Sequence, residues 1–223
     1  MKLLLTSAGV TNASIRRALD GLLGKPVAES TALCIPTAQY GHPGVTPAGA
    51  WRFISGTSDL PMCGLGWRSV GVLELTALPS IEEERWVPWV READALLVAG
   101  GDTGYLNHWG RRSGLVELLP SLHDTVWVGL SAGSMVLAPR VGREFVQWSS
   151  PAGDETLGVV DFSICPHVNG DGRPGNTMAE AEQWATSLDN PGYVVDDETA
   201  IRVVDGTVDV VSEGRWTLLN PDR

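Results

Sequence analysis

Positive charge is scarce in this chain: 16 Lys and Arg stand against 27 Asp and Glu, a formal net charge of -11 with a pI near 4.7. A nucleic-acid or anionic-membrane partner needs a basic face, because lipid or backbone phosphates would repel a surface like this one. No Lys/Arg stripe supplies it, so neither partner is expected. Cysteine is equally sparse. Cys34, Cys63 and Cys165 are odd in number and widely separated, which reads as reduced thiols in a cytoplasmic protein and not as a disulfide framework. There is no CxxC or HExxH, and the four histidines are scattered, so no metal or other cofactor is expected. No apolar run has the length of a membrane helix. The leucines near the N-terminus are too few for a secretory core and read as a first strand entering a glycine turn. The nine tryptophans fall at no fixed period, which argues against a repeat fold.

What is present describes an ordinary globular chain. With 223 residues, 43% of them hydrophobic and 19% charged, it is long enough for a substantial core and is expected to form one domain over 1–223. Short apolar runs at 2–7, 31–35, 69–75 and 93–99 read as strands, the last apolar on both faces as a covered parallel strand is. Helical spacing follows at 14–19, with Asn12 or Ser14 as N-cap, near 47–54, at 81–90 with an acidic first turn, and after Gly104. A strand is expected over 159–165, a helix over 177–188, and a hairpin over 200–211 with Asp205-Gly206 as a type I′ turn. Residues 216–219 are expected to close the sheet edge. The alternation predicts an α/β fold: a doubly wound, mostly parallel sheet with helices on both faces and a C-terminal antiparallel hairpin. Sites in such sheets lie beyond the carboxyl ends of the strands. The Gly100-Gly101 loop and the stretch around Ser131 should therefore face one crevice.

That stretch is Gly129-Leu130-Ser131-Ala132-Gly133, preceded by the apolar Thr125-Val126-Trp127-Val128. It matches the G-x-S-x-G nucleophile elbow, in which a strand turns sharply into a helix with serine at the apex. Glycines flank the serine because the turn brings neighbouring backbone too near for a Cβ. The N–H of Ala132 would then sit at a helix N-terminus, where negative charge is favoured.

A serine hydroxyl needs a base, usually a histidine oriented by a carboxylate. His167 follows a strand end and Pro166, at the rim where Ser131 is expected. His42 sits in a Gly/Pro loop, His108 within a helix, and His123 at the opposite edge of the sheet. Four acids, Glu144, Asp154, Glu155 and Asp161, lie between Ser131 and His167. Asp161 would begin its strand, far from the rim. Glu144 follows the elbow closely, ahead of the apolar Phe145-Val146, and is the expected acid.

Together the Gly100-Gly101-Asp102-Thr103 loop, the Ser131-Ala132-Gly133 elbow and the Pro166-His167 step resemble the dipeptidase E family of serine peptidases, also called aspartyl dipeptidases or peptidase E, with cyanophycinase as a relative. The resemblance covers nearly the whole chain. It implies a class I glutamine-amidotransferase-like α/β fold with serine at the nucleophile position and no metal. It further implies that Ser131 attacks the carbonyl of a short peptide, that His167 accepts and returns the proton, and that the N–H groups of Gly101 and Ala132 form an oxyanion hole. Asp102 and Thr103 would belong to the substrate-binding loop. The chain departs from the family's pattern at several positions. Asp102 stands where the family usually has Asn, and Val146 where it commonly has the catalytic Asp; Glu144, two residues earlier, gives a Ser-His-Glu triad. The aspartate-specific branch resembles a site with an arginine downstream of the histidine. The matching stretch here, Asn176-Thr177-Met178-Ala179-Glu180, has none, which leaves Arg173 to bind a substrate carboxylate and opens a different peptide preference. Two other readings stand beside the peptidase: an amide hydrolase with a cyanophycin-like or other non-peptide substrate, and a non-catalytic binding module on the same fold. A homodimer is left open.

Overall fold

A computed structural model of the chain describes residues 1–149, 152–169 and 176–222. Strand β1 (Lys2–Thr6) is followed by α1 (Ala13–Leu23), β2 (Thr31–Ile35), α2 (Thr37–Gly41), α3 (Pro47–Ile54) and β3 (Ser69–Val72). Next come α4 (Glu83–Glu92), β4 (Ala95–Val98), α5 (Thr103–Arg112), α6 (Leu115–Leu118), β5 (Val126–Leu130) and the single turn α7 (Ala132–Met135). The chain continues through β6 (Ser163–Cys165), α8 (Met178–Thr186), β7 (Gly192–Val195), β8 (Thr199–Val204), β9 (Thr207–Ser212) and β10 (Trp216–Leu219).

Seven strands form one sheet in the order β3-β2-β4-β5-β1-β8-β9. The first five are mutually parallel, β8 runs antiparallel to β1, and β9 runs antiparallel to β8. The central strands are apolar on both faces because both are covered. On one face Leu3, Leu5, Leu96 and Trp127 meet Trp86 and Val90 of α4 and Leu106 of α5. On the other, Leu4, Leu97 and Val128 meet Ile15 and Leu19 of α1 and Phe53 of α3. Each such fully buried leucine contributes about 1.5–3 kcal/mol. The expected doubly wound sheet and hairpin are both present. Asp205 and Gly206 have φ of 49° and 79°, the pair of positive angles a type I′ turn requires. Asn12 caps α1 through Ile15 N–H, and Thr177 and Glu180 form a reciprocal capping box on α8.

One expectation fails. Residues 216–219 do not close the main sheet; β10 pairs with β7, which pairs with β6, in a separate three-stranded sheet. Ala181, Trp184 and Ala185 of α8 pack beneath it against Cys165 and Val194. Strand β7 was not expected from the sequence, and β6 covers only the last three residues of the apolar run at 159–165.

The topology brings several strand ends to one rim. There β4 runs into Gly100-Gly101, β5 into Ser131 and β1 into Ser7. Strand β8 is antiparallel to β1, with Thr6 opposite Ala200, so it begins where β1 ends and carries the acidic residues 196–198 to the same rim. No helix among the described residues is long and apolar enough to cross a membrane.

Candidate active site

The turn at Ser131 is as tight as the motif demands. Ser131 has φ 50° and ψ -111°, a conformation that costs a residue bearing a Cβ about 1–3 kcal/mol. A Cβ on Gly129 would lie 2.5 Å from the carbonyl oxygen of Gly133, and one on Gly133 would overlap the carbonyl of Val98. The bend is held by the N–H of Ser131 donating to Thr6 O at 3.0 Å and by the indole of Trp127 donating to Gly133 O at 2.8 Å.

The glycine loop after β4 packs against this elbow. A Cβ on Gly100 would press on Leu130 and on the Cβ of Ser131, and one on Gly101, whose φ is 142°, would overlap the carbonyl of Ala38. Among the described residues, the N–H groups of Gly101 and Ala132 donate to no protein acceptor. Gly101 and Ser131 border the same cleft, and Ala132 follows Ser131 directly.

Asp102 and Thr103 do not face that cleft. Each is 1% exposed. Asp102 Oδ1 accepts the Tyr105 N–H at 2.7 Å and caps α5, while Oδ2 accepts the N–H groups of Gln147 and Trp148, both at 2.8 Å. The Trp148 ring then packs edge-on against Tyr105, with centroids 5.4 Å apart. Asp102 therefore fastens the 147–148 segment to α5 instead of reaching a ligand. Asp102→Ala leaves three backbone donors without their acceptor and is expected to lower stability by about 2–4 kcal/mol in urea unfolding. A loss below about 1 kcal/mol would mean that water replaces the carboxylate at little cost.

His167 enters from the small sheet, two residues past β6. It is buried, with φ 62°. Its N–H donates to Ser7 Oγ at 2.8 Å, and its Nδ1 lies 2.5 Å from Asp197 Oδ1. The Ser7 hydroxyl donates to the same Asp197 oxygen at 2.7 Å and stands 3.2 Å from Nδ1. With Nδ1 engaged by a carboxylate, the free ring nitrogen is Nε2. Which nitrogen holds the proton follows from the carboxylate, which can only accept while it is ionised.

The acid beside the imidazole is thus Asp197, not Glu144. Glu144 lies in a short 3₁₀ turn and borders a separate recess of about 510 Å³ with Phe145, Cys165 and Trp184. Asp154 is taken by Arg140 at 3.0 Å. Asp161 is exposed and close enough to Tyr193 that its charge, after burial, helps raise the phenol's pKa. Cys165 is no rival nucleophile: burial, and then the charges of Glu144 and Glu180, push its thiol up to about 12. Arg173 lies outside the described residues. Sequence reasoning missed both Ser7 and Asp197. The available signal was the acidic run Asp196-Asp197-Glu198 immediately before a strand.

Ser131, His167, Gly100 and Gly101 share one cleft of about 330 Å³. Val45, Phe53, Leu60 and Leu130 supply apolar wall, and Gln39, His42 and Ser58 polar wall. His42 is already partly used, since its Nδ1 accepts the Gly44 N–H at 3.0 Å. Among the described residues no three His, Cys, Asp or Glu side chains gather in a way that would hold a metal ion. The arrangement places a serine hydroxyl, an imidazole with one nitrogen anchored and two backbone donors around one cleft, a combination that suits acyl transfer.

Comparison with known proteins follows the same line. The model of peptidase family S51 matches residues 3–211. A crystal structure of a provisionally assigned peptidase E protein from Listeria monocytogenes EGD-e is similar over 96% of this chain and 98% of its own, at 20% identity and a TM-score of 0.66. The crystal structure of a peptidase from an acI-B1 actinobacterium covers 100% of this chain and 95% of its own, with the same identity and TM-score. At that identity these structures establish the shared fold. No curated protein sequence matches the chain.

Proposed function

The chain belongs to peptidase family S51, and we propose that it acts as a serine peptidase on short peptides through Ser131, His167 and Asp197. Ser131 Oγ attacks the scissile carbonyl carbon while His167 Nε2 takes the hydroxyl proton. The carbonyl oxygen becomes an oxyanion held by the N–H groups of Gly101 and Ala132, each such donor lowering the barrier by about 3–4 kcal/mol. The imidazolium, steadied by Asp197, gives its proton to the leaving amine, and the amide C–N bond breaks to leave an acyl-enzyme. Water then attacks this ester with His167 again as base, releasing the acid and restoring Ser131.

The single observation carrying this reading is that Ser131 and His167 border one cleft while Asp197 anchors the far nitrogen of the imidazole. A cleft of this volume supports a substrate of a few residues. Its apolar wall supports a preference that is not confined to N-terminal aspartate. The three free cysteines support a reducing, cytoplasmic setting. The test is labelling by a fluorescent alkyl fluorophosphonate. Wild type is expected to be labelled at Ser131, and Ser131→Ala not at all. A folded wild type that stays unlabelled would favour a binding module on this fold.

A further inference from the structure

We infer that Ser7 is a positioning residue of the site: its hydroxyl fixes the backbone of His167 and the carboxylate of Asp197 together, so that the imidazole meets Ser131 with Nδ1 protonated and Nε2 bare. The inference rests on reading His167 as the general base. Ser7 stands one residue past β1, the strand that lies between β5 and β8. One neighbouring strand delivers Ser131 and the other delivers Asp197, so the tip of β1 is the point both share. His167 is the one member brought from outside this sheet, and it docks on Ser7 through its own N–H.

A hydroxyl has one proton and two acceptor sites. One acceptor site of Ser7 is filled by the His167 N–H at 2.8 Å. The proton has two candidate destinations, Asp197 Oδ1 at 2.7 Å and His167 Nδ1 at 3.2 Å. The 2.5 Å approach of Nδ1 to Asp197 Oδ1 needs a proton between them. With Asp197 ionised that proton belongs to Nδ1, so Nδ1 cannot also accept from Ser7. The Ser7 proton is left with the carboxylate alone. Oδ1 then receives two donors, which prevent its rotation away from the ring. The same hydroxyl secures the left-handed backbone at His167, a conformation that needs surrounding contacts to persist. Ser7 is fully buried and is not part of the cleft wall, so its effect on substrate passes through His167 and Asp197.

Fluorophosphonate inactivation tests this without knowledge of the natural substrate, since it separates reactivity of Ser131 (kinact) from reagent binding (KI). Ser7→Ala is expected to lower kinact on the order of 10- to 100-fold, the cost of a small misplacement of a catalytic group, with KI unchanged. The downfield Nδ1 proton resonance of His167, a product of its short contact with Asp197, is expected to move upfield or vanish in the same variant. Should Ser7→Ala fail to fold, Ser7→Cys, a weaker donor of similar shape, is held to the same two expectations. Wild-type kinact, a lowered kinact with the resonance in place, or a loss confined to KI would each overturn the inference. His167→Ala measured alongside separates the two levels. If it reacts like wild type, the reading of the base fails; if it is inert and Ser7→Ala is unimpaired, only the role of Ser7 fails.

Discussion

Asp197→Asn is expected to lower peptide hydrolysis by about 10³- to 10⁴-fold, while Glu144→Gln leaves it roughly unchanged. The difference follows from position. Asp197 Oδ1 stands 2.5 Å from His167 Nδ1, where its charge stabilises the imidazolium formed as Ser131 gives up its proton. An amide keeps the shape and removes the charge. Should its NH₂ face the ring, Nδ1 must become the acceptor, the proton moves to Nε2, and the base is lost. Glu144 borders another recess and touches neither partner. Turnover on a panel of dipeptides, with circular dichroism confirming the fold, measures both. The opposite order of effects would return the acid's role to Glu144.

Two substitutions at the elbow are expected to give matching losses of activity and different effects on stability. Ser131→Ala removes the nucleophile and should reduce hydrolysis on the order of 10⁶-fold with stability nearly unaltered, because alanine keeps the Cβ and its strain. Ser131→Gly should be as inactive and yet gain stability. The positive φ of 50° costs a residue with a Cβ about 1–3 kcal/mol, against roughly 0.5–1 kcal/mol for the extra freedom glycine gives the unfolded chain. A net gain of about 1 kcal/mol in urea unfolding is the expected result. A glycine variant less stable than the alanine one would mean that the surrounding hydrogen bonds already remove the strain.

How far the site was legible depended on whether its signals were local. The elbow was readable because a close backbone approach forces glycine at 129 and 133, and both constraints sit within five residues. His167 was readable from its place at a strand end. Asp197 was not, because a carboxylate is marked as a partner only by what it touches. Its contact with His167 depends on β8 running antiparallel beside β1, a pairing that hydrophobic periodicity does not specify. Looking only between Ser131 and His167 excluded it. Asp102 was assigned to the substrate loop by the family resemblance alone, whereas an acid just ahead of a helix is also an N-cap, and here it caps α5. The small sheet was obscured by the brevity of its strands, three residues in β6 and four in β7.

The two sheets divide responsibility unequally. Ser131, Gly101, Ala132 and Asp197 all hang from the large one, and only His167 arrives with the small one. A nascent or partly melted chain whose seven strands have formed, but whose minor sheet has not yet settled against them, carries an idle hydroxyl. On the proposed mechanism, turnover therefore requires both sheets to be in place.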